Sequence, residues 1–209
     1  MEWPFLGRML MPNWCDNTIS ISGSAEQLEP IYTKLKEDES NGLCSVLHPM
    51  PKNTFTGDLG EKERKKCAKE GVPNWYDWCI SNWGTKWDTS DGDWHWEDAG
   101  DGNAILTGSF QTAWGPPIGV YEHAEQAHPD LFIEAMYYEG GCAFAGKWET
   151  GSGDEHYSLE GSKKAIEDQL PEDLNDCFGI TECMEDEEEE LTEWLREGVE
   201  AKQKEAESV

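Results

Sequence analysis

The segment Asn17-Thr18-Ile19-Ser20-Ile21-Ser22 decides the fold class, because it alternates polar and apolar side chains and a helix signal follows it directly. Ile19 and Ile21 share one face, which is the period of a β-strand with one side buried. Ser24 then predicts a helix N-terminus, with Gln27 three residues later as in a capping box. Apolar residues follow at helical spacing: Leu28, Ile31, Tyr32 and Leu35. The chain therefore opens with a β-α unit.

The same patterns predict a second unit of this kind further along the chain. The predicted elements, in order, are a strand at 17–22, a helix from 24, a strand at 43–47, helices at 61–70 and 74–82, a loop at 88–103, a strand at 104–110, a helix at 118–127, and strands at 131–138 and 142–149. This order is β-α-β, a helical insertion, then β-α-β with an extra hairpin strand. It predicts an α+β fold class.

Composition divides the chain into three parts. Residues 1–10 are predicted to be an N-terminal extension, and 11–153 a tryptophan-rich core that holds most of the 11 tryptophans. Residues 154–209 are predicted to be an acidic segment, with a short helix at 162–170 and a loop at 171–180. Four apolar residues at helical spacing predict an amphipathic helix near 185–201: Leu191, Trp194, Leu195 and Val199.

The formal net charge of −28 restricts the partners that the protein can have. Residues 154–209 contain 20 acidic and 5 basic residues, a net charge of −15, and the rest of the chain contributes −13. Such a field repels nucleic acids and anionic membrane surfaces. It favours basic proteins, including those that normally hold nucleic acid. The alternative is that the charge serves solubility alone.

The cysteines and the N-terminal residues indicate an intracellular protein. Seven cysteines are present, an odd number, and no CxxC pair occurs, which is typical of reduced thiols. Pro4, Gly7 and Arg8 interrupt the apolar residues near Met1, which excludes a signal peptide there. No apolar run reaches the length of a membrane-spanning helix. We therefore expect a soluble protein in the cytoplasm.

Two short stretches resemble ligand motifs but lack an essential position. Residues 141–147 match the first seven positions of a P-loop, but Trp148 stands where a serine or threonine must hold magnesium, and the stretch alternates like a strand. Residues 88–93 resemble a calcium loop, but no register satisfies its ligand pattern. No metal-binding cluster of histidine and cysteine occurs either. We therefore expect no cofactor, no metal and no catalytic residue.

The tryptophans allow two interpretations. Seven of them could form a base-stacking platform: Trp75, Trp78, Trp83, Trp87, Trp94, Trp96 and Trp114. Such platforms need a basic groove, and Lys86 is almost the only basic residue nearby. Core packing is the favoured interpretation.

Several long strings of residues resemble a known family. They are Met11-Pro12-Asn13-Trp14-Cys15-Asp16-Asn17, Pro49-Met50-Pro51, Trp75-Tyr76-Asp77-Trp78, Asn82-Trp83-Gly84-Thr85-Lys86-Trp87-Asp88, Thr112-Ala113-Trp114-Gly115-Pro116-Pro117, and Leu170-Pro171-Glu172-Asp173 followed by Phe178-Gly179-Ile180. They are similar to the YubB/Api92-like proteins of phages and conjugative plasmids. The resemblance implies a ferredoxin-like domain, a natural start near Met11 and a mobile-element source. It supplies no catalytic residues.

Charge and resemblance together predict a non-enzymatic phage or plasmid accessory protein that binds and inhibits a basic or nucleic-acid-binding host protein. It would act either against a host defence protein or as a DNA mimic. The predicted partner-binding residues are acidic: Glu185, Asp186, Glu187, Glu188, Glu189, Glu190, Asp88, Asp91 and Asp93. One alternative is a small enzyme with a site of Asp, His and Trp side chains from 83–96 and 112–117. The other is a phage structural or assembly protein.

Overall fold

The computed structural model describes residues 13–37 and 42–184. They belong to two compact units, the first ending at His156 and the second beginning at Tyr157. The elements are β1 (Trp14–Ser24), α1 (Ala25–Glu37), α2 (Leu43–Leu47), α3 (Glu61–Glu70), α4 (Trp75–Asn82), β2 (Ser90–Gly100), β3 (Asn103–Ala113), α5 (Ile118–Ala127), β4 (Phe132–Glu139), β5 (Phe144–Glu149), β6 (Gly153–Ser158), α6 (Lys163–Glu167) and α7 (Glu172–Phe178). The α+β fold class is confirmed.

The strands form one six-stranded sheet in the order β2-β3-β1-β4-β5-β6. β1 pairs antiparallel with β3 on one side and with β4 on the other, and β2 and β5 extend the sheet antiparallel beyond them. From β1 the chain passes through α1 and the insertion to β2, two places away. From β3 it passes through α5 to β4, again two places away. Two β-α-β connections are thus interleaved around β1.

Helices cover one face of this sheet, and the core lies between the two layers. Its main members are Ile19, Ile21, Leu106, Phe110, Ile133 and Ala135 from the strands, and Leu28, Ile31, Leu35, Val120, Tyr121 and Ala124 from α1 and α5. Each fully buried large apolar side chain contributes about 1.5–3 kcal/mol. This layer is therefore the main source of stability in the first unit.

The local signals for α1 and α5 are confirmed. Ser24 Oγ accepts a hydrogen bond from the backbone N–H of Gln27 at 3.4 Å, and it donates to Gln27 Oε1 at 2.9 Å. The predicted helix at 118–127 has the bounds of α5. The predicted helices at 61–70 and 74–82 correspond to α3 and α4.

The strand predicted at 43–47 is wrong, because this segment forms α2. A five-residue apolar run has no periodicity that separates strand from helix. A distant carboxylate favours the helix here: Asp88 accepts hydrogen bonds from the backbone N–H groups of Cys44 at 2.9 Å and Ser45 at 3.1 Å. Thr89 Oγ1 accepts from the first N–H group of α2 at 2.8 Å. These bonds satisfy donors that a helix N-terminus leaves unpaired.

The loop predicted at 88–103 is also wrong, because β2 occupies most of it and pairs with β3. The prediction rested on the density of Asp and Gly. Two tryptophans at alternate positions, Trp94 and Trp96, favour a strand instead. The ring of Trp94 stacks on Phe110 with centroids 5.6 Å apart, and Trp96 meets Tyr32 of α1 at the same distance. Burying these rings on the helix side turns Asp93 and Glu97 to the opposite face.

The second unit contains α6 and α7. Ser162 accepts a hydrogen bond from the backbone N–H of Ala165 and caps α6, which confirms the short helix predicted there. The loop predicted at 171–180 is wrong, because α7 occupies most of it, although two of its expected anchors, Leu174 and Ile180, are buried. No helix among residues 13–37 and 42–184 is long and apolar enough to cross a membrane.

Three predictions on domain organisation stay predictions. The extension at 1–10 and the helix near 185–201 lie outside the described residues. The predicted boundary after residue 153 lies three residues before the division between the two units, and it stays a prediction.

Candidate partner-binding face

None of the helices that the structure describes in the first unit, α1 to α5, lies on the second face of the sheet. Strand alternation places on it the side chains that are out of phase with the buried Ile19 and Ile21. The following side chains on this face are half-buried or exposed: Asp16, Thr18, Ser20, Asp93, His95, Glu97, Thr107, Ser109, Gln111, Phe132, Glu134, Met136, Tyr138, Lys147 and Glu149. We call this surface the open face.

A depression runs along the middle of the open face. Its floor consists of short hydroxyl side chains on the neighbouring strands β1 and β3, namely Thr18, Ser20, Thr107 and Ser109. Longer side chains form its walls: His95 on β2, and Glu134 and Met136 on β4. The depression is open to solvent and has a volume of about 410 Å³. We call this depression the sheet trough. The sheet trough exists because β1 and β3 carry small residues at these positions, whereas β2 and β4 carry large ones.

The rims of the trough are acidic. The register of β2, β1, β4 and β5 brings five exposed carboxylates to the open face: Asp16, Asp93, Glu97, Glu134 and Glu149. The Lys147 ammonium is the one lysine or arginine charge that the described strand registers place there. Gln111 donates to Asp16 Oδ1 at 2.8 Å, and the His95 ring lies 3.1 Å from Asp93 Oδ2. These six charges on β1, β2, β4 and β5 sum to −4 when His95 is neutral.

One end of the open face is aromatic. Trp14 precedes Asp16 by two residues on β1 and so lies on the same face, with 36% of its surface exposed. Its ring lies 6.3 Å from that of Trp87, which is 39% exposed. The ammonium of Lys86 stands over the Trp87 ring, 4.1 Å from its centroid. This cation–π contact shows that the tryptophan pair presents a ring surface on which a cation can rest.

The structure places the predicted partner-binding residues at different positions. Asp93 lies exposed on the open face. Asp91 belongs to β2 by its backbone. Asp88 has a structural role that the sequence did not indicate, since its carboxylate accepts the hydrogen bonds that begin α2. The run Glu185–Glu190 lies outside the described residues.

The tryptophans separate into buried and exposed groups. Core packing is confirmed for Trp83 and Trp94, which are almost fully buried. It is wrong for Trp87 and for Trp114, which is 53% exposed. Trp114 also has a φ of 75°, in the left-handed region that a bulky residue seldom adopts. The Trp87 ring lies beside Trp14 at one end of the acidic open face and not in a basic groove.

The groups proposed for an enzyme site do not share one cleft among the described residues. Trp83 donates from its indole nitrogen to the carbonyl of His48 at 2.8 Å inside the core. Thr112 is buried and accepts from the side-chain amide of Asn17 at 2.9 Å. His95 and Asp93 lie on the open face instead. An enzymatic role stays a hypothesis.

Burial makes three cysteines poor nucleophiles. Desolvation raises the pKa of Cys15 to about 12 and that of Cys79 to about 11. Cys44 is fully buried, and burial, with the Asp88 carboxylate beside it, raises its pKa well above the ordinary value. The thiolate is the reactive form of cysteine, so these thiols serve packing.

Sequence reasoning missed most of the open face. Asp16, Glu97, Glu134 and Glu149 had no motif to mark them. The signal that could have found them is alternation, because a residue out of phase with a buried strand position must point the other way. Trp14 was visible by the same rule.

Comparisons with known proteins yield one match. No family model matches the chain, and no curated protein matches it. A search of solved structures finds the crystal structure of a protein api92 from Yersinia pseudotuberculosis, which is described with the family model DUF1281. The match has a TM-score of 0.38 and 9% sequence identity, and it covers 73% of this chain and 100% of that chain. At this TM-score the likeness carries no argument about function.

Proposed function

We propose that the protein is a non-enzymatic accessory protein that binds and inhibits a basic, nucleic-acid-handling host protein through its acidic surface. The observation that carries the proposal is the open face. It is broad, no described helix of the first unit covers it, and it presents five carboxylates in one direction. A surface of this kind attracts a basic cleft and repels nucleic acid itself.

The C-terminal segment would extend this charge. Duplex DNA carries about one negative charge per 1.7 Å of axis. The six carboxylates Glu185–Glu190, if helical, would rise only about 9 Å and so reach a similar density. An acidic sheet face together with such a segment could compete with DNA for a basic cleft.

The source and the finer fold description belong to the same proposal. The interleaved β-α-β connections around β1, with sheet order β4-β1-β3-β2, support a ferredoxin-like core. The motif resemblance to the YubB/Api92-like proteins supports a phage or plasmid source. The site of action would then be the host cytoplasm.

A pair of charge-matched variants tests the proposal. One replaces three open-face carboxylates, Asp93→Asn, Glu97→Gln and Glu134→Gln. The control replaces three exposed carboxylates on the helices of the other layer, Glu26→Gln, Glu29→Gln and Glu122→Gln. Both change the net charge by the same amount. Each variant and the parent are immobilised and exposed to host lysate at low and high ionic strength.

We expect the parent and the control to retain a basic or nucleic-acid-binding protein at low salt, and the open-face variant to lose most of it. The retained protein should be released at high salt, because the Debye length falls from about 30 Å at 0.01 M to about 3 Å at 1 M. Added parent protein should displace nucleic acid from the retained protein. Retention of no basic protein would refute the proposal. Equal loss in both variants would refute the role of the open face.

A further inference from the structure

The sheet trough has the dimensions of an α-helix. Its walls stand on β2 and β4, which are three strand spacings apart, or roughly 14 Å at about 4.8 Å per spacing. A helix with its side chains is about 10–12 Å wide. The floor side chains, Thr18, Ser20, Thr107 and Ser109, are short enough to leave that space open. An extended strand would be too narrow to reach both walls.

The acidic rims of the trough favour a helix that carries basic residues along both of its sides. Asp93 and Glu97 line the β2 side, and Glu134 and Glu149 line the β4 and β5 side. A helix with basic residues along both flanks would place each row of cations against one acidic rim. The acidic residues of the C-terminal segment make that segment a poor occupant, since like charges would face each other.

The aromatic end of the open face narrows the choice of cation. Trp14 lies four positions before Thr18 on β1, which is a distance of about 13 Å along the strand. Between them lies Asp16, whose carboxylate is exposed. A planar guanidinium can stack on a tryptophan ring and bind a carboxylate with two parallel hydrogen bonds, whereas an ammonium is a point charge. A ring pair beside a carboxylate therefore suits arginine.

Lys86 occupies the place that an arginine would take. It belongs to a chain with 16 basic and 44 acidic residues, and its ammonium rests 4.1 Å from the Trp87 centroid. This contact holds a cation on the ring in the absence of a partner.

Resting on the proposed function, we infer that the sheet trough binds an arginine-bearing α-helix of the basic partner, with one guanidinium displacing the Lys86 ammonium from Trp87. The trough sets where the helix lies, and the acidic rims attract its basic residues. The tryptophan pair makes arginine preferable to lysine.

Two synthetic helical peptides test this inference on the full chain. They share one alanine-rich sequence with basic residues on two flanks, and they differ only in having arginine or lysine at those positions. Dissociation constants are measured by fluorescence anisotropy at fixed salt. The variants are Trp87→Ala, Lys86→Met and, as an aromatic control, Tyr76→Ala. Tyr76 lies on α4 and has its own cation–π contact with Arg64, at 5.0 Å.

We expect the parent to bind the arginine peptide about five-fold more tightly than the lysine peptide, because a guanidinium stacks on the Trp87 ring through its plane whereas an ammonium makes only a point-charge contact. A five-fold ratio corresponds to roughly 1 kcal/mol. Trp87→Ala should abolish this preference, and Tyr76→Ala should leave it unchanged. Lys86→Met should tighten binding of the arginine peptide about two- to five-fold, because no resident cation has to leave the ring.

Equal affinity for the two peptides would overturn the inference. So would weaker binding by Lys86→Met, or an arginine preference that survives Trp87→Ala. Binding of neither peptide, while the basic host protein is still retained from lysate, would show that the partner docks elsewhere on the acidic surface. A thermal unfolding midpoint close to that of the parent verifies that each variant is folded.

Discussion

Gly119→Ala is expected to destabilise the protein by about 3 kcal/mol, which is large for the addition of one methyl group. A Cβ at Gly119 would stand 2.2 Å from the carbonyl oxygen of Asn82 and 2.9 Å from its carbonyl carbon. Both are backbone atoms at the end of α4, so no side chain can move aside. The start of α5 would have to shift away from α4, and the core between α5 and the sheet would open.

Urea unfolding measures this effect, and Gly115→Ala is the matched control. Gly115 has no atom within 4 Å of an added Cβ, so its substitution should change the free energy of unfolding by no more than about 0.5 kcal/mol. If Gly119→Ala were as stable as Gly115→Ala, the close approach of α4 and α5 would be refuted.

Trp148→Ala is expected to cost about 3–5 kcal/mol of unfolding free energy, the usual loss when a large buried aromatic side chain is truncated. Trp148 on β5 is 1% exposed, and its ring meets that of Tyr121 on α5 with centroids 5.5 Å apart. The substitution would leave a large cavity between the sheet and α5.

The same urea measurement applies, with Trp114→Ala as the control. Trp114 is exposed, so its truncation should cost less than about 1 kcal/mol. Comparable losses from both substitutions would contradict the division of the tryptophans into core and surface groups.

Local signals in the sequence were sufficient to predict those elements whose apolar residues recur with the period of the strand or helix that buries them. β1 alternates and buries Ile19 and Ile21, and α1 begins at the capping box of Ser24. The P-loop-like stretch at 141–147 was correctly interpreted as strand-like, since β5 includes most of it and leads to the buried Trp148.

Non-local contacts decided the elements that were predicted wrongly. The helix α2 depends on Asp88, which is more than forty residues away in the chain. Only the folded structure shows that this carboxylate accepts hydrogen bonds at the start of α2. The strand β2 depends on a tryptophan ring packing against Phe110. No local window around α2 contains Asp88. The partner of β2, in contrast, is β3, which follows directly after the turn Asp101-Gly102, a hairpin signal that the density of Asp and Gly concealed.

The candidate site was predictable in its charge but not in its geometry. Asp93 was expected to bind a partner and lies on the open face. The other carboxylates there come from separate strands, and the sheet register alone brings them together. The same register joins Trp14 to the acidic face, because β1 carries both.

Hydroxyl-radical footprinting of the complex with the captured basic protein tests the central claim most directly. Met136 in the trough and Trp14 and Trp87 at its aromatic end are readily oxidised side chains of the open face, and Tyr76 on α4 is a reference outside it. The account predicts that partner binding protects Met136, Trp14 and Trp87 from oxidation and leaves Tyr76 unchanged. Protection of Tyr76 with unchanged oxidation of Met136 would contradict it.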